Sequence, residues 1–131
     1  MEISSRNKKL MQYEFKILAF TNESKFSIEL ATECNKYGFS LDFLSDIKGI
    51  DDFLGDDIIA AVIIDLNDDT FIPFEICNKI KNVYGLPVFG VLNKFSKDMQ
   101  EKAKKNGYDL IFTKKMLIRS IRDVIIHVSN E

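Results

Sequence analysis

The segment Ala60-Ala61-Val62-Ile63-Ile64-Asp65 constrains the fold of this chain more than any other, because it is an unbroken apolar run that ends in a carboxylate. A strand with no polar residue on either face is typical of the centre of a parallel sheet, where helices cover both sides. The carboxyl ends of such strands are where open α/β folds collect ligands and reacting groups. Asp65 is therefore the first candidate for a functional residue.

The composition indicates one ordered domain and excludes several classes of protein. Hydrophobic residues make up 46% of the 131 positions and charged residues 29%, which is enough for a core of its own. The formal net charge of −2 gives no basis for a nucleic-acid-binding surface. Cys34 and Cys77 lack metal-ligand spacing, so we expect buried free thiols. With no apolar run near the ~20 residues of a membrane span, we expect a cytoplasmic protein without membrane contact.

Strand and helix patterns alternate five times after a polar segment, residues 1–14, which we expect to be a flexible N-terminal tail of a domain spanning 15–131. The predicted strands cover 15–20, 39–44, 60–65, 86–92 and 110–113, and the predicted helices cover 23–37, 47–54, 74–84, 97–106 and 117–128. The first four helices are expected to stop at Gly38, Gly55, Gly85 and Gly107. Asn22 is expected to cap the first helix, with Glu23 as a charge in its first turn. Its buried positions are predicted as Leu30, Ala31, Cys34 and Tyr37.

Five strand–helix units with short links require right-handed crossovers and a parallel sheet covered on both faces. The sequence therefore predicts an α/β fold, a three-layer α/β/α sandwich of flavodoxin-like type with strand order 2-1-3-4-5. In that order the ends of the first and third strands, at Thr21-Asn22 and at Asp65, lie beside each other. We expect any functional site there.

Three stretches carry a family resemblance: Ile63-Ile64-Asp65-Leu66-Asn67, Leu86-Pro87-Val88, and the run from Gly107 to Lys114. Their types and spacing resemble the receiver domain of bacterial two-component response regulators, the CheY-like family, over about residues 15–128. The resemblance implies that Asp65 matches the phosphoacceptor and Lys114 its supporting lysine, with Asn67 a further supporting position. An ion pair between Asp65 and Lys114 is expected whether or not phosphate arrives.

Four positions depart from the pattern that the resemblance implies. Thr21 and Asn22 stand where receivers carry the acidic pair that holds a divalent cation, and phosphoryl transfer to a carboxylate needs such a cation. Leu92 replaces a hydroxyl residue that contacts the phosphoryl group, and Ile111 replaces an aromatic switch. The sequence therefore favours a degenerate receiver, or pseudo-receiver, that is not an enzyme and holds neither metal nor cofactor.

Two alternatives remain open at this stage. In a conventional phosphoacceptor, a histidine kinase would phosphorylate Asp65, with Asp68 or Glu23 recruited to bind magnesium. A small-molecule enzyme or cofactor binder of flavodoxin-like shape would need a pocket at the strand ends, although no Gly-rich phosphate loop follows the first strand.

The resemblance also implies a binding surface formed by the fourth helix, fifth strand and fifth helix. A basic rim around exposed apolar side chains suits an acidic signalling protein or a homodimer partner. The residues predicted for this interaction face are Lys102, Lys105, Lys115, Met116, Arg119, Arg122 and Ile126.

Overall fold

A computed structural model describes residues 15–53 and 58–129 of the chain. The predicted tail at 1–14, the helix stop at Gly55 and the last two residues of the predicted domain lie outside the described residues. Among the residues that are described, no helix has the length and apolar character needed to cross a bilayer.

Five parallel strands form one sheet in the order β2-β1-β3-β4-β5, which confirms the predicted fold class. The strands are β1 (Phe15–Phe20), β2 (Ser40–Phe43), β3 (Ile58–Asp65), β4 (Val88–Leu92) and β5 (Leu110–Thr113). Phe20 pairs with Ile64, and Asp65 pairs with Val91. The register therefore brings the carboxyl ends of β1, β3 and β4 to one edge of the sheet, as the sequence predicts.

The helices are α1 (Ser24–Lys36), α2 (Ile47–Phe53), α3 (Pro73–Lys79, continued by a π-helical turn at Ile80–Tyr84), α4 (Lys97–Lys105) and α5 (Lys114–Ser129). Unlike the other four, α2 is a 3-10 helix, and within it Ile50 is fully buried. Three of the predicted helix stops, Gly38, Gly85 and Gly107, have φ angles of 78°, 64° and 99°. These left-handed conformations favour glycine and end the preceding helices.

The sheet separates two apolar layers, which completes the sandwich. On one face, α1 and α5 pack Phe26, Leu30, Leu117 and Ile121 against the strands, and on the other face α2, α3 and α4 supply the cover. The prediction that Ala31 is buried is wrong, since it is exposed. Phe26, Leu30 and Cys34 set the buried stripe at intervals of four residues, and Ala31 lies about 100° around the helix from Leu30.

Both cysteines are free and buried, one in each apolar layer, as predicted. Burial raises the pKa of the Cys34 thiol to about 12 and that of the Cys77 thiol to about 11. Both side chains are therefore protonated at neutral pH and serve as packing residues rather than nucleophiles.

A close approach at Gly90 fixes the position of the loop that follows β3. A Cβ atom at Gly90 would lie 2.9 Å from Leu66 Cδ1 and 3.0 Å from Tyr108 Cδ2, so no larger residue fits there without displacement. Tyr108 passes through this space, and its hydroxyl donates a hydrogen bond to the Pro73 carbonyl at 2.7 Å. Because Gly90 has no side chain, Tyr108 can reach Pro73 and connect the start of α3 to the end of the sheet that carries Asp65.

Candidate functional site

Asp65 ends β3 at the carboxyl edge of the sheet, and its side chain is only 1% exposed. Three donors of the chain bind its two carboxylate oxygens. Oδ2 accepts the Thr21 hydroxyl at 2.7 Å and lies 2.8 Å from Lys114 Nζ, and Oδ1 accepts the Asn67 backbone N–H at 3.0 Å. A buried carboxylate is stable only with such partners, and here the chain supplies them itself.

Lys114 is the first residue of α5, directly after β5, and its side chain is largely buried. Its ammonium group bridges two carboxylates, Asp65 at 2.8 Å and Glu23 at 3.0 Å, and lies 5.5 Å from the centre of the Phe26 ring. Burial alone would lower the pKa of Lys114, but the hydrogen bonds to Asp65 and Glu23 outweigh it and raise the pKa above its usual value. The ion pair expected from the sequence is therefore present, with a second carboxylate added.

Glu23 is that second carboxylate, and the sequence assigned it a different role. Instead of a charge in the first turn of α1, it is the N-cap residue, and its Oε2 accepts the Phe26 backbone N–H at 3.0 Å. The prediction that Asn22 caps this helix is accordingly wrong. The hydrogen bond from Lys114, followed by that from Phe26, holds the pKa of Glu23 below its usual value. Because its other oxygen is left free to bind Lys114, one side chain both caps α1 and links it to α5.

Asn22 and Asp68 form a separate link between the ends of β1 and β3. The Asn22 backbone N–H donates to Asp68 Oδ2 at 2.7 Å, and the Thr70 backbone N–H donates to Oδ1 at 2.9 Å. Partial burial alone would raise the pKa of Asp68, but these two backbone hydrogen bonds outweigh it and hold the pKa below its usual value. The Asn22 side chain itself is exposed.

Asn67 connects β3 to β4 at the same edge. Its backbone N–H binds Asp65, and its side-chain Oδ1 accepts the Asn93 backbone N–H at 2.6 Å. The supporting position predicted from the sequence thus contacts the Asp65 carboxylate through the backbone rather than through the amide side chain.

Magnesium is the cation that the family resemblance implies, and the donor set near Asp65 does not fit it. Magnesium binds through carboxylate oxygens arranged around one point. The carboxylates of Asp65, Glu23 and Asp68 instead accept hydrogen bonds from protein donors. In residues 15–53 and 58–129, no three acidic, histidine or cysteine side chains form a group that could hold a metal ion.

Leu92 and Ile111 belong to the apolar layer beneath α3 and α4. Leu92 is buried and Ile111 is half-buried within the same cluster as Val88 and Tyr108. Neither side chain offers a hydrogen-bonding group or an aromatic ring to the Asp65 site. Both positions therefore serve packing in this chain.

The predicted interaction face is exposed at most of its residues. Lys102, Lys105, Lys115, Met116, Arg119 and Arg122 are exposed, and Ile126 is half-buried. The Lys102 Nζ lies 5.0 Å from the centre of the Phe74 ring, so this side chain also contacts α3.

No protein-family model matches the sequence, and no curated protein matches it by sequence either. Solved structures do match. A response regulator receiver domain protein from Clostridium thermocellum is 20% identical, with a TM-score of 0.71 over 88% of this chain and 94% of that one. A two-component response regulator from Clostridium difficile is 16% identical, with a TM-score of 0.71 over 89% of this chain and 99% of that one.

A third match is a CheY-like response regulator receiver domain protein from Methanospirillum hungatei. It is 11% identical, with a TM-score of 0.67 over 88% of this chain and 96% of that one. The chain has the response regulator receiver fold. Within that fold, Asp65 and Lys114 lie at the carboxyl edge that the sequence analysis assigned to the functional site.

Proposed function

We propose that this chain is a receiver-like interaction module of two-component signal transduction in the cytoplasm, and that it acts without magnesium-dependent phosphorylation of Asp65. The observation that carries the proposal is the state of Asp65. Its side chain is 1% exposed, and Thr21, Lys114 and the Asn67 backbone bind both of its oxygens.

This arrangement opposes phosphoryl transfer for two physical reasons. An attacking carboxylate oxygen needs an open approach in line with the leaving group, and the approaching charges need a cation to neutralise them. The Asp65 oxygens are buried and already hydrogen-bonded, and the nearby carboxylates of Glu23 and Asp68 are bound by protein donors. The module is therefore a binding protein rather than an enzyme.

The partner that we propose for the module is an acidic signalling protein on the surface formed by α4, β5 and α5. Exposed cations on this surface attract an acidic partner over several ångströms, and a few apolar side chains such as Met116 supply a dry centre. The exposed cations of this surface are Lys102, Lys105, Lys115, Arg119 and Arg122.

Intact mass spectrometry tests the central part of the proposal. The protein is incubated with magnesium and a small phosphodonor, and the expected result is no phosphoryl adduct. A stoichiometric adduct that Asp65→Asn abolishes would instead support the conventional phosphoacceptor, with Glu23 or Asp68 released from its hydrogen bonds to bind the cation.

A gain-of-function variant sharpens this experiment. If the missing acids are what prevents phosphorylation, Thr21→Asp combined with Asn22→Asp should restore magnesium-dependent adduct formation. The change introduces two carboxylates after β1, next to the strand that ends at Asp65, and removes the Thr21 hydrogen bond. Asn35→Asp, which adds one carboxylate at an exposed position of α1, is the control and should remain unmodified. Circular dichroism of each variant establishes that it is folded.

A further inference from the structure

A groove of about 660 Å³ runs between α2 and α3, away from the Asp65 site. Its apolar lining consists of Ile47, Phe71, Ile72, Ile76 and Val83. Two of these side chains are strongly exposed, Ile72 at 62% and Val83 at 63%. Single apolar side chains scattered over a surface are common in folded proteins. Several of them grouped around a groove are instead typical of a binding surface.

The groove lies in a negatively charged part of the molecule. Asp46 and Glu75 are among its lining residues, with Lys79 as the lining cation. The surrounding segments 45–53 and 66–83 carry the carboxylates of Asp46, Asp51, Asp52, Asp68, Asp69 and Glu75 against the cations of Lys48, Lys79 and Lys81, of which Lys81 is paired with Asp109. An occupant that is apolar at its tip and cationic at its sides would match this surface.

The loop between β4 and α4 presents such a group. Phe95 is 66% exposed, and the exposed cations Lys94 and Lys97 lie within two residues on either side. An exposed phenylalanine between two lysines offers an apolar ring to the apolar lining of the groove and positive charge to its carboxylates. The groove and this loop therefore complement each other in both apolar character and charge.

Within one chain the two surfaces do not cover each other. Phe95, Ile72 and Val83 all remain more than half exposed in the folded monomer. The opposite side of α3 is already covered, because Phe74 contacts Tyr108 of the α4–β5 connection and the Lys102 ammonium group. The contact is thus available to a second molecule rather than to the same one.

We propose that the occupant of the groove is a second copy of this chain, which inserts Phe95 between Ile72, Ile76 and Val83 with Lys94 and Lys97 beside Glu75 and Asp46. Because the two surfaces differ, one such contact leaves the groove of one copy and the Phe95 loop of the other copy free. These free surfaces either make the same contact reciprocally, which closes a two-fold dimer, or bind further copies in a ring or a chain. This inference does not depend on the phosphorylation state of Asp65.

Sedimentation velocity over a wide range of protein concentration tests the proposal. The sedimentation coefficient of the wild-type protein should rise with concentration above the value of a monomer. Raising the salt from about 0.05 M to about 0.5 M should weaken the association, because it screens the lysine–carboxylate attractions. A monomer at every concentration would overturn the proposal.

Matched variants test whether the Phe95 loop and the groove are the two surfaces that form the contact. Phe95→Ser removes the inserted ring and Ile72→Ser alters the groove, and each should weaken association at least about tenfold. An equimolar mixture of the two retains one intact Phe95 and one intact groove per pair, so it should form a dimer and nothing larger. Ile28→Ser, which changes a 67% exposed residue on α1 outside both surfaces, should associate like wild type. A mixture that stays monomeric, or an Ile28→Ser variant that fails equally, would contradict the proposal.

Discussion

The Asp65 site and the groove between α2 and α3 differ in whether their side chains have partners within the chain. Around Asp65, buried charges are bound by donors of the same chain, from the ends of β1 and β3 and the start of α5. At the groove, the apolar side chains of Ile72 and Val83 stay more than half exposed among the described residues. The first region therefore contributes to the stability of the monomer, and the second is available for association. Variants in and around the Asp65 site test whether its buried charges stabilise the monomer.

The largest effect is expected from Lys114→Met. The substitution leaves Asp65 buried without its cation and also removes the partner of Glu23. Breaking a buried ion pair in this way costs about 3–5 kcal/mol of unfolding free energy at neutral pH. Urea denaturation measures the loss.

Lys115→Met is the matched control for that experiment, because Lys115 is the exposed neighbour of Lys114 on α5. Its unfolding free energy should lie within about 0.5 kcal/mol of wild type. If the two variants unfold at the same urea concentration, Asp65 does not depend on Lys114 and the contrast between the two regions fails.

A smaller loss is expected from Thr21→Val, which keeps the shape of the side chain and removes its hydroxyl. That hydroxyl donates to Asp65 and accepts the Glu23 backbone N–H at 3.2 Å. Leaving buried polar groups without this partner costs about 1–3 kcal/mol. Thr32→Val is the control, since the Thr32 hydroxyl is exposed and bonds only to the Ile28 carbonyl. Equal urea midpoints for the two variants would show that water replaces the Thr21 hydroxyl.

The fold could be predicted from the sequence because it depends on patterns that are local and repeated. The apolar run ending at Asp65 identified the central strand, and glycines such as Gly85 and Gly107 marked the helix ends. Five such units with short connections leave few topologies, so the strand order followed. The Asp65–Lys114 ion pair also followed, since the residue after β5 lies at the same edge of the sheet as the end of β3.

The details that the sequence did not predict depend on contacts between distant elements. Thr21, Asn22 and Glu23 are all able to cap α1, and Lys114, ninety-one positions away, binds the one that does. The groove also escaped prediction, because the pattern of residues 47–54 does not distinguish a 3-10 helix from an α-helix. The contact of the Lys102 ammonium group with the Phe74 ring was not predicted either, because it depends on how α4 packs beside α3.

The smallest effect is expected from Glu23→Gln, because Glu23 lies between the buried Asp65 site and the solvent. Its side chain is 43% exposed, so solvent screens its attraction to Lys114. The pKa of the Glu23 carboxyl is lower in the folded state than in the unfolded state. The ionised carboxylate therefore stabilises the fold at any pH above the unfolded pKa, and this stabilisation is lost as the pH falls through the folded pKa. Wild type should therefore be more stable than Glu23→Gln at neutral pH, and urea denaturation at a series of pH values should show this difference shrinking on acidification. A difference that stays constant down to acidic pH would mean that ionisation of the Glu23 carboxyl does not stabilise the fold, either through Phe26 or through Lys114, and that Lys114 is held by Asp65 alone.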